Sequence, residues 1–130
     1  MFLTDPIKYL ESSDFDDDGN IMYSEILPSN KPLMILLQSN SCGYCNMAKP
    51  DFQRFAEFNK DRLTSATIQF DAAADPKFRS LNLNFTPEKV NNIYSGLRGF
   101  PSYVLYIGNT KYKYDGNRDF ESLNNFIRNF

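Results

Sequence analysis

Two cysteines stand three residues apart in the run Ser41-Cys42-Gly43-Tyr44-Cys45-Asn46-Met47-Ala48-Lys49-Pro50, and they are the only two in the chain. Paired sulfurs at this spacing can exchange a disulfide, ligate a metal or form a structural cross-link. The flanking residues bear on the choice. Pro32-Leu33-Met34-Ile35-Leu36-Leu37 is a short continuous apolar run and reads as a buried strand. From Asp51 to Lys60, Phe52, Phe55, Ala56 and Phe58 recur at helical spacing. Cys42 therefore falls at a strand-to-helix turn and Cys45 in the first helical turn. Residues three apart share a helix face, so the sulfurs can meet. The unpaired N–H groups and partial positive charge of a helix start favour an anionic sulfur at Cys42. The thiolate is the reactive form. Gly43 carries no side chain to block an incoming disulfide, and Cys45, one turn deeper, is the more buried sulfur. The pattern is that of a nucleophile with a resolving partner.

The other chemistries fit less well. A structural zinc site normally takes four ligands, and the chain has no third cysteine and no histidine. No metal site and no cofactor is expected from one chain. A cluster bridging two chains, with two thiolates from each, stays open on spacing alone. A structural disulfide closing so small a loop constrains the unfolded chain least. The lack of histidine also excludes Ser-His-Asp and Cys-His catalysis.

A length of 130 residues predicts a single domain over residues 1–130, large enough for a real core. With 42% hydrophobic residues and mixed charge the chain is expected to fold. A net charge of −2 argues against a nucleic-acid partner. No apolar run reaches transmembrane length, so no membrane partner is expected. The start of the chain lacks a basic region and an apolar signal core, with Asp5-Pro6 breaking any such pattern, and Arg128-Asn129-Phe130 is no retention signal. The expectation is a cytoplasmic protein, where a redox-active pair suits the compartment better than a structural disulfide.

Ile7 to Leu10 alternates as a first strand, and Ser65 to Asp71 as a third. Asp14 to Glu25 matches the calcium-loop pattern D-x-D-x-D-G-x5-E. An EF-hand needs a helix on each side, however, and Pro28 leaves little room for the second. The expectation is a loop in which Asp14 or a neighbouring serine caps a short helix, with a calcium-binding module as the lesser alternative. Residues 72–98 are a long connection. Within it Thr86 and Pro87 suit the N-cap and first position of a helix carrying Val90, Ile93, Tyr94 and Leu97. Strands at 103–107 and 111–114 should form a hairpin through Gly108-Asn109-Thr110. A last helix should start near Asp119 and bury Leu123, Phe126 and Ile127.

The run from Cys42 to Pro50 resembles the active site of the thioredoxin superfamily, which has a proline eight residues after its first cysteine. Gly99-Phe100-Pro101, followed by a strand-like segment, resembles the family's cis-proline turn. Tyr114-Asp115-Gly116-Asn117-Arg118 and the helix after it look like the end of a protein disulfide isomerase domain. The resemblance covers residues 6–130. It implies an α/β thioredoxin fold, a central mixed sheet of four to five strands with helices on both faces.

The resemblance also implies that Gly43, Tyr44, Phe100 and Pro101 border the substrate, that the bond before Pro101 is cis, and that Arg118 approaches Cys45 and lowers its pKa. The chain departs from the family in three places. Ser41 stands where tryptophan is common, and Tyr44 where isomerases carry histidine. Leu36 replaces a buried carboxylate that serves the second cysteine, which predicts handicapped proton handling at Cys45.

The expected function is thiol–disulfide exchange on protein substrates carrying disulfides or thiols, through Cys42 as nucleophile and Cys45 as resolving cysteine. A separate reductase or oxidant would restore the pair. The competing reading is a non-enzymatic binding or assembly subunit of the same fold.

Overall fold

The apolar run at residues 33–37 becomes the middle of a sheet. The computed structural model describes residues 2–130, and in it strand β2 (Leu33–Gln38) is buried along its whole length. β2 pairs in parallel with β3 (Thr64–Gln69) and antiparallel with β4 (Ser102–Ile107). The short β1 (Lys8–Tyr9) adds in parallel to β3, and β5 (Thr110–Tyr114) adds antiparallel to β4. The order is β1-β3-β2-β4-β5, a mixed sheet of five strands. A strand flanked on both edges and covered on both faces needs no alternation, which is why β2 reads as an unbroken apolar run.

Alternate β2 residues feed two separate cores. Met34 and Leu36 pack with Phe52, Phe55 and Ala56 of helix α1 (Gly43–Phe58) and with Leu123 of helix α3 (Phe120–Ile127). Leu33, Ile35 and Leu37 pack on the opposite face with Ile93 of helix α2 (Pro87–Ile93) and with Leu10, Phe15, Ile21 and Leu27. Each fully buried Leu or Phe contributes about 1.5–3 kcal/mol of burial free energy. Helices thus cover both faces of the sheet, as expected. No helix among the described residues is long and apolar enough to cross a membrane.

Local capping sets the helix starts. The Thr86 hydroxyl accepts the N–H of Lys89 at 3.0 Å, with Pro87 in the first turn. The Asp119 carboxylate accepts the N–H of Ser122 at 3.2 Å. The β4–β5 hairpin turns at Gly108, whose φ of 58° lies in the left-handed region.

One apolar residue of α1 lies outside the core, and two expectations need correction. Phe58 shares the helical spacing of Phe52 and Phe55 but is 60% exposed, lying edge-on to Phe120 beyond the end of the core. In α3, Leu123 is buried whereas Phe126 and Ile127 are half-buried at the margin. The first helical turn, Ser12–Asp14, is capped by Glu11, and Asp14 answers by accepting the Glu11 N–H at 2.8 Å.

The segment with the calcium-loop pattern is part of the second core. The turn Ser12–Asp14 precedes it, and no helix lies between it and β2. One Asp16 oxygen, Oδ1, accepts the N–H groups of Asp18 and Asn20, each at 2.9 Å, which closes the turn on itself. Tyr106 of β4 donates its buried hydroxyl to the Gly19 carbonyl at 2.6 Å. Among the described residues no group of three or more His, Cys, Asp or Glu side chains gathers to hold a metal ion. The connection at 72–98 is tied to this same segment. Lys89 donates to the carbonyls of Ser12 and Phe15, each at 3.0 Å, and Asn92 to that of Asp17 at 2.9 Å.

Candidate active site

β2 ends at Gln38, and residues 39–42 turn the chain into α1. Cys42 is the N-cap residue of α1, with extended backbone. Its Sγ accepts the N–H of Cys45 at 3.2 Å, the role a hydroxyl or carboxylate oxygen fills at most helix starts. A sulfur in this place meets an unpaired backbone donor and the positive end of the helix. Cys42 is half-buried and Cys45 fully buried, and the two are unlinked thiols. Pro50 sits within α1 without ending it.

Phe100 brings a second backbone segment to the same sulfur. The Phe100–Pro101 peptide bond is cis, and Cys42 Sγ lies 3.5 Å from the Phe100 carbonyl oxygen, within reach for donation by the thiol. Phe100 stacks on Phe70, just beyond β3, with ring centroids 5.2 Å apart. Pro101 is buried beneath the turn. The space around Gly43 is open, since a side chain there would meet nothing within 4 Å. Tyr44 is 68% exposed beside the pair.

The Arg118 guanidinium lies 5.9 Å from the centre of the Tyr44 ring, at the rim of the site. There it lines two neighbouring depressions. One, of about 240 Å³, also involves Tyr44, Met47 and Asp51. The other, of about 560 Å³, runs past Tyr94, Gly99, Phe100, Pro101 and Lys113. The end of the 72–98 connection therefore forms one wall of the groove beside Pro101.

Burial makes the Cys45 thiol a weaker acid than an ordinary cysteine. Burial pushes the Cys45 thiol up to about 11, helped by its contact with Cys42 and by the charge Cys42 carries as a thiolate. The Ser39 backbone and the Lys49 charge act in the opposite direction. Leu36, beneath the helix, is fully buried and supplies no proton acceptor.

Two residues of the site escaped sequence reasoning. Lys49 is fully buried on α1, one turn beyond Cys45, and its Nζ donates to Oδ1 of Asn40 and to Oδ1 of Asn46. Its spacing was a usable signal, since it lies four residues after Cys45 and three before Phe52, on the stripe that faces the sheet. Asp71 follows β3, and its carboxylate accepts from the Asn40 N–H at 3.0 Å, the Ser41 N–H at 3.2 Å and the Ser39 hydroxyl at 2.9 Å. No local pattern marks that role, because its partners lie about thirty residues away.

A mixed sheet with helices on both faces, two thiols at the start of α1 and a cis-proline turn against the outer sulfur define the thioredoxin-like proteins, and the chain belongs to that family. It is 32% identical over 135 residues to "Putative thioredoxin-like protein 453L" of Invertebrate iridescent virus 6, covering 94% of this chain and 92% of that one. It is also 30% identical over 120 residues to "Protein disulfide-isomerase erp38" of Neurospora crassa, covering 88% of this chain but 27% of the isomerase. No family model matches. Among solved structures, the J-Trx1 fragment of ERdj5 superposes with a TM-score of 0.64 at 21% identity, over 95% of this chain and 50% of that one. Human ERp44 form I gives 0.65 at 15% identity, over 99% of this chain and 30% of that one. At those identities the structural likeness concerns the fold.

Proposed function

We propose that the protein is a thiol–disulfide oxidoreductase acting on protein disulfides through Cys42 and Cys45. The observation that carries this reading is the position of Cys42: a half-buried sulfur at the N-cap of α1, bonded by the Cys45 N–H and lying against the Phe100 carbonyl. Cys42 attacks as the thiolate. The bond from its sulfur to one client sulfur forms, the client disulfide breaks, and the other client sulfur leaves with the electron pair and takes up a proton. Cys45 then attacks Cys42, the mixed disulfide breaks, and the second client thiol departs. The client is reduced by two electrons and the Cys42/Cys45 pair is oxidised, and the same steps run backwards oxidise a client. A dithiol reductant, or a disulfide oxidant for the reverse direction, must reset the pair.

Gly43, Tyr44, Phe100 and Pro101 border the reacting sulfur in this reading, and an extended client segment lies in the groove beside Pro101. The disulfide isomerase resemblance and the iridescent virus relative support the reaction class. Reduction of insulin by dithiothreitol tests it. The protein should accelerate the reaction and Cys42→Ser should not, whereas no acceleration by the intact protein points to a binding subunit of this fold.

A further inference from the structure

The site holds a buried cation that the exchange steps at Cys42 leave unexplained. Lysine is almost never fully buried, because its ammonium loses hydration that the interior must replace. Lys49 is nevertheless fully buried, on the face of α1 that otherwise carries Cys45, Ala48, Phe52, Phe55 and Ala56. Its Nζ is held where two segments meet. Asn46, in the first turn of α1, accepts from it at 3.1 Å, and Asn40, in the turn after β2, accepts from it too. Both asparagines are themselves fixed. The Asn46 side-chain amide donates to the Asn40 carbonyl at 2.9 Å, and the Asn40 N–H donates to Asp71.

The charges around this ammonium converge on the redox pair. Burial lowers the Lys49 pKa, and Cys45, then Asp71 and Cys42, act to raise it. The Asp71 carboxylate is engaged by the Ser39, Asn40 and Ser41 donors. Tyr103 of β4 also faces the pair and is kept protonated by burial, with Arg118 acting on it from the rim. Beneath the pair β2 is apolar from Leu33 to Leu37 and offers no charge. Among the described residues, Lys49 is thus the cation whose charge acts on Cys45.

We propose that Lys49 is a positioning residue for disulfide exchange: its ammonium, held by Asn40 and Asn46, stabilises the Cys45 thiolate that attacks the mixed disulfide at Cys42. This rests on the exchange reading above. In the step concerned, the Cys45 thiol gives its proton to solvent and its sulfur forms a bond to Cys42. The bond between Cys42 and the client breaks, and the departing client thiolate takes up a proton. Lys49 stays protonated throughout and exchanges no electrons.

Glutathione serves as the leaving group in the test. Its mixed disulfide with Cys42 is formed in acid, and its release is followed after jumps to higher pH, for the wild type, Lys49→Met and Lys49→Arg. The Cys45 titration is read separately by thiolate ultraviolet absorbance in the Cys42→Ser background, which needs no exchange step. An opposite charge nearby moves a pKa by about one unit or more. Lys49→Met should therefore raise the Cys45 titration by about one pH unit. About tenfold less Cys45 is then ionised at neutral pH, partly offset because the less acidic thiolate is the stronger nucleophile, so release should slow by about threefold. Lys49→Arg should restore most of the shift.

Lys49→Met removes a buried charge but leaves the Asn40 and Asn46 oxygens without their donor, so its denaturant midpoint is measured beside that of the wild type. As a check that needs no variant, the side-chain resonances of Lys49 in the reduced wild type should follow the Cys45 titration. An unchanged Cys45 titration in folded Lys49→Met, or Lys49 resonances indifferent to Cys45, overturns the proposal. Failure to accelerate insulin reduction with the Cys45 shift intact instead removes the exchange reading and leaves the charge pairing standing.

Discussion

The backbone N–H of Asn40 donates to Oδ1 of Asp71 at 3.0 Å, joining the turn before Cys42 to the end of β3. The second oxygen of the same carboxylate receives Ser39 and Ser41. One side chain thereby orders the three residues that lead into the N-cap of α1, and places the Asn40 side chain that receives Lys49.

Asp71→Ala should lower stability by about 1–3 kcal/mol, the usual cost of leaving polar groups without their partner. Burial alone would raise the Asp71 pKa, but the hydrogen bonds from Asn40, Ser39, Ser41 and Gln69 together outweigh it and hold the carboxyl below its ordinary 3.8. A depressed folded pKa means the contribution is complete above 3.8 and is lost as pH falls through the folded value. The gap in denaturant midpoint between the wild type and Asp71→Ala should therefore be largest near neutral pH and close in acid.

The two cysteines should separate cleanly by trapping. Cys42 is half-buried at the helix start and Cys45 is fully buried behind it. Cys45→Ser should accumulate mixed disulfides with clients through Cys42, while Cys42→Ser should neither exchange nor trap. Non-reducing gel analysis after acid quench, with peptide mapping of the adducts, reads both. Adducts on Cys45 in the Cys42→Ser protein would reverse the assignment.

Alkali should weaken the reduced protein more than the oxidised one. Burial raises the Cys45 thiol from 9.0 to about 11. The folded state therefore keeps a proton that the unfolded chain gives up, and stability falls as pH rises through that window. The oxidised protein has no thiol to titrate, and the buried Tyr103 and Tyr106 are common to both forms. Denaturant midpoints of the two forms between pH 9 and 11 should diverge, with the reduced form losing ground. Parallel curves would place the Cys45 pKa near its ordinary value.

Gly19 holds the loop from Asp14 to Glu25 against the 72–98 connection. Its φ is +75°, and a Cβ there would lie 2.6 Å from the backbone carbon of Asn92. Gly19→Ala should cost more than about 1 kcal/mol, since both the dihedral and the space oppose it. Calorimetric titration of the wild type with calcium should give no binding in the micromolar range, because Asp14 accepts the backbone N–H of Glu11 and Asp16 those of Asp18 and Asn20. Micromolar binding would show that the carboxylates rearrange around the ion.

The residues that declare themselves in the sequence are those whose structure follows from neighbours along the chain. The apolar run at 33–37, the helical spacing of Phe52 and Phe55, the Thr86-Pro87 start and the Asp119 cap depend on periodicity and capping. They were legible, and with them the place of Cys42 and Cys45 at the start of a helix. Periodicity set Phe58 at helical spacing but did not say where the buried stripe ends, and Lys49, whose spacing puts it on that stripe, was passed over because a lysine normally reads as surface. The calcium-loop pattern was also legible, but the same residue types serve equally well to close a turn, and packing against Tyr106 and Asn92 decided between those uses. The contact of Cys42 with Phe100, the anchoring of Ser39 to Ser41 by Asp71 and the meeting of Asn40 with Lys49 depended on strand order. With β3 and β4 on either side of β2, the segments following β3 and preceding β4 flank the turn that follows β2. Spacing along one chain does not encode which strands lie side by side, so the groups that set the chemistry of the buried sulfur were decided by the tertiary structure alone.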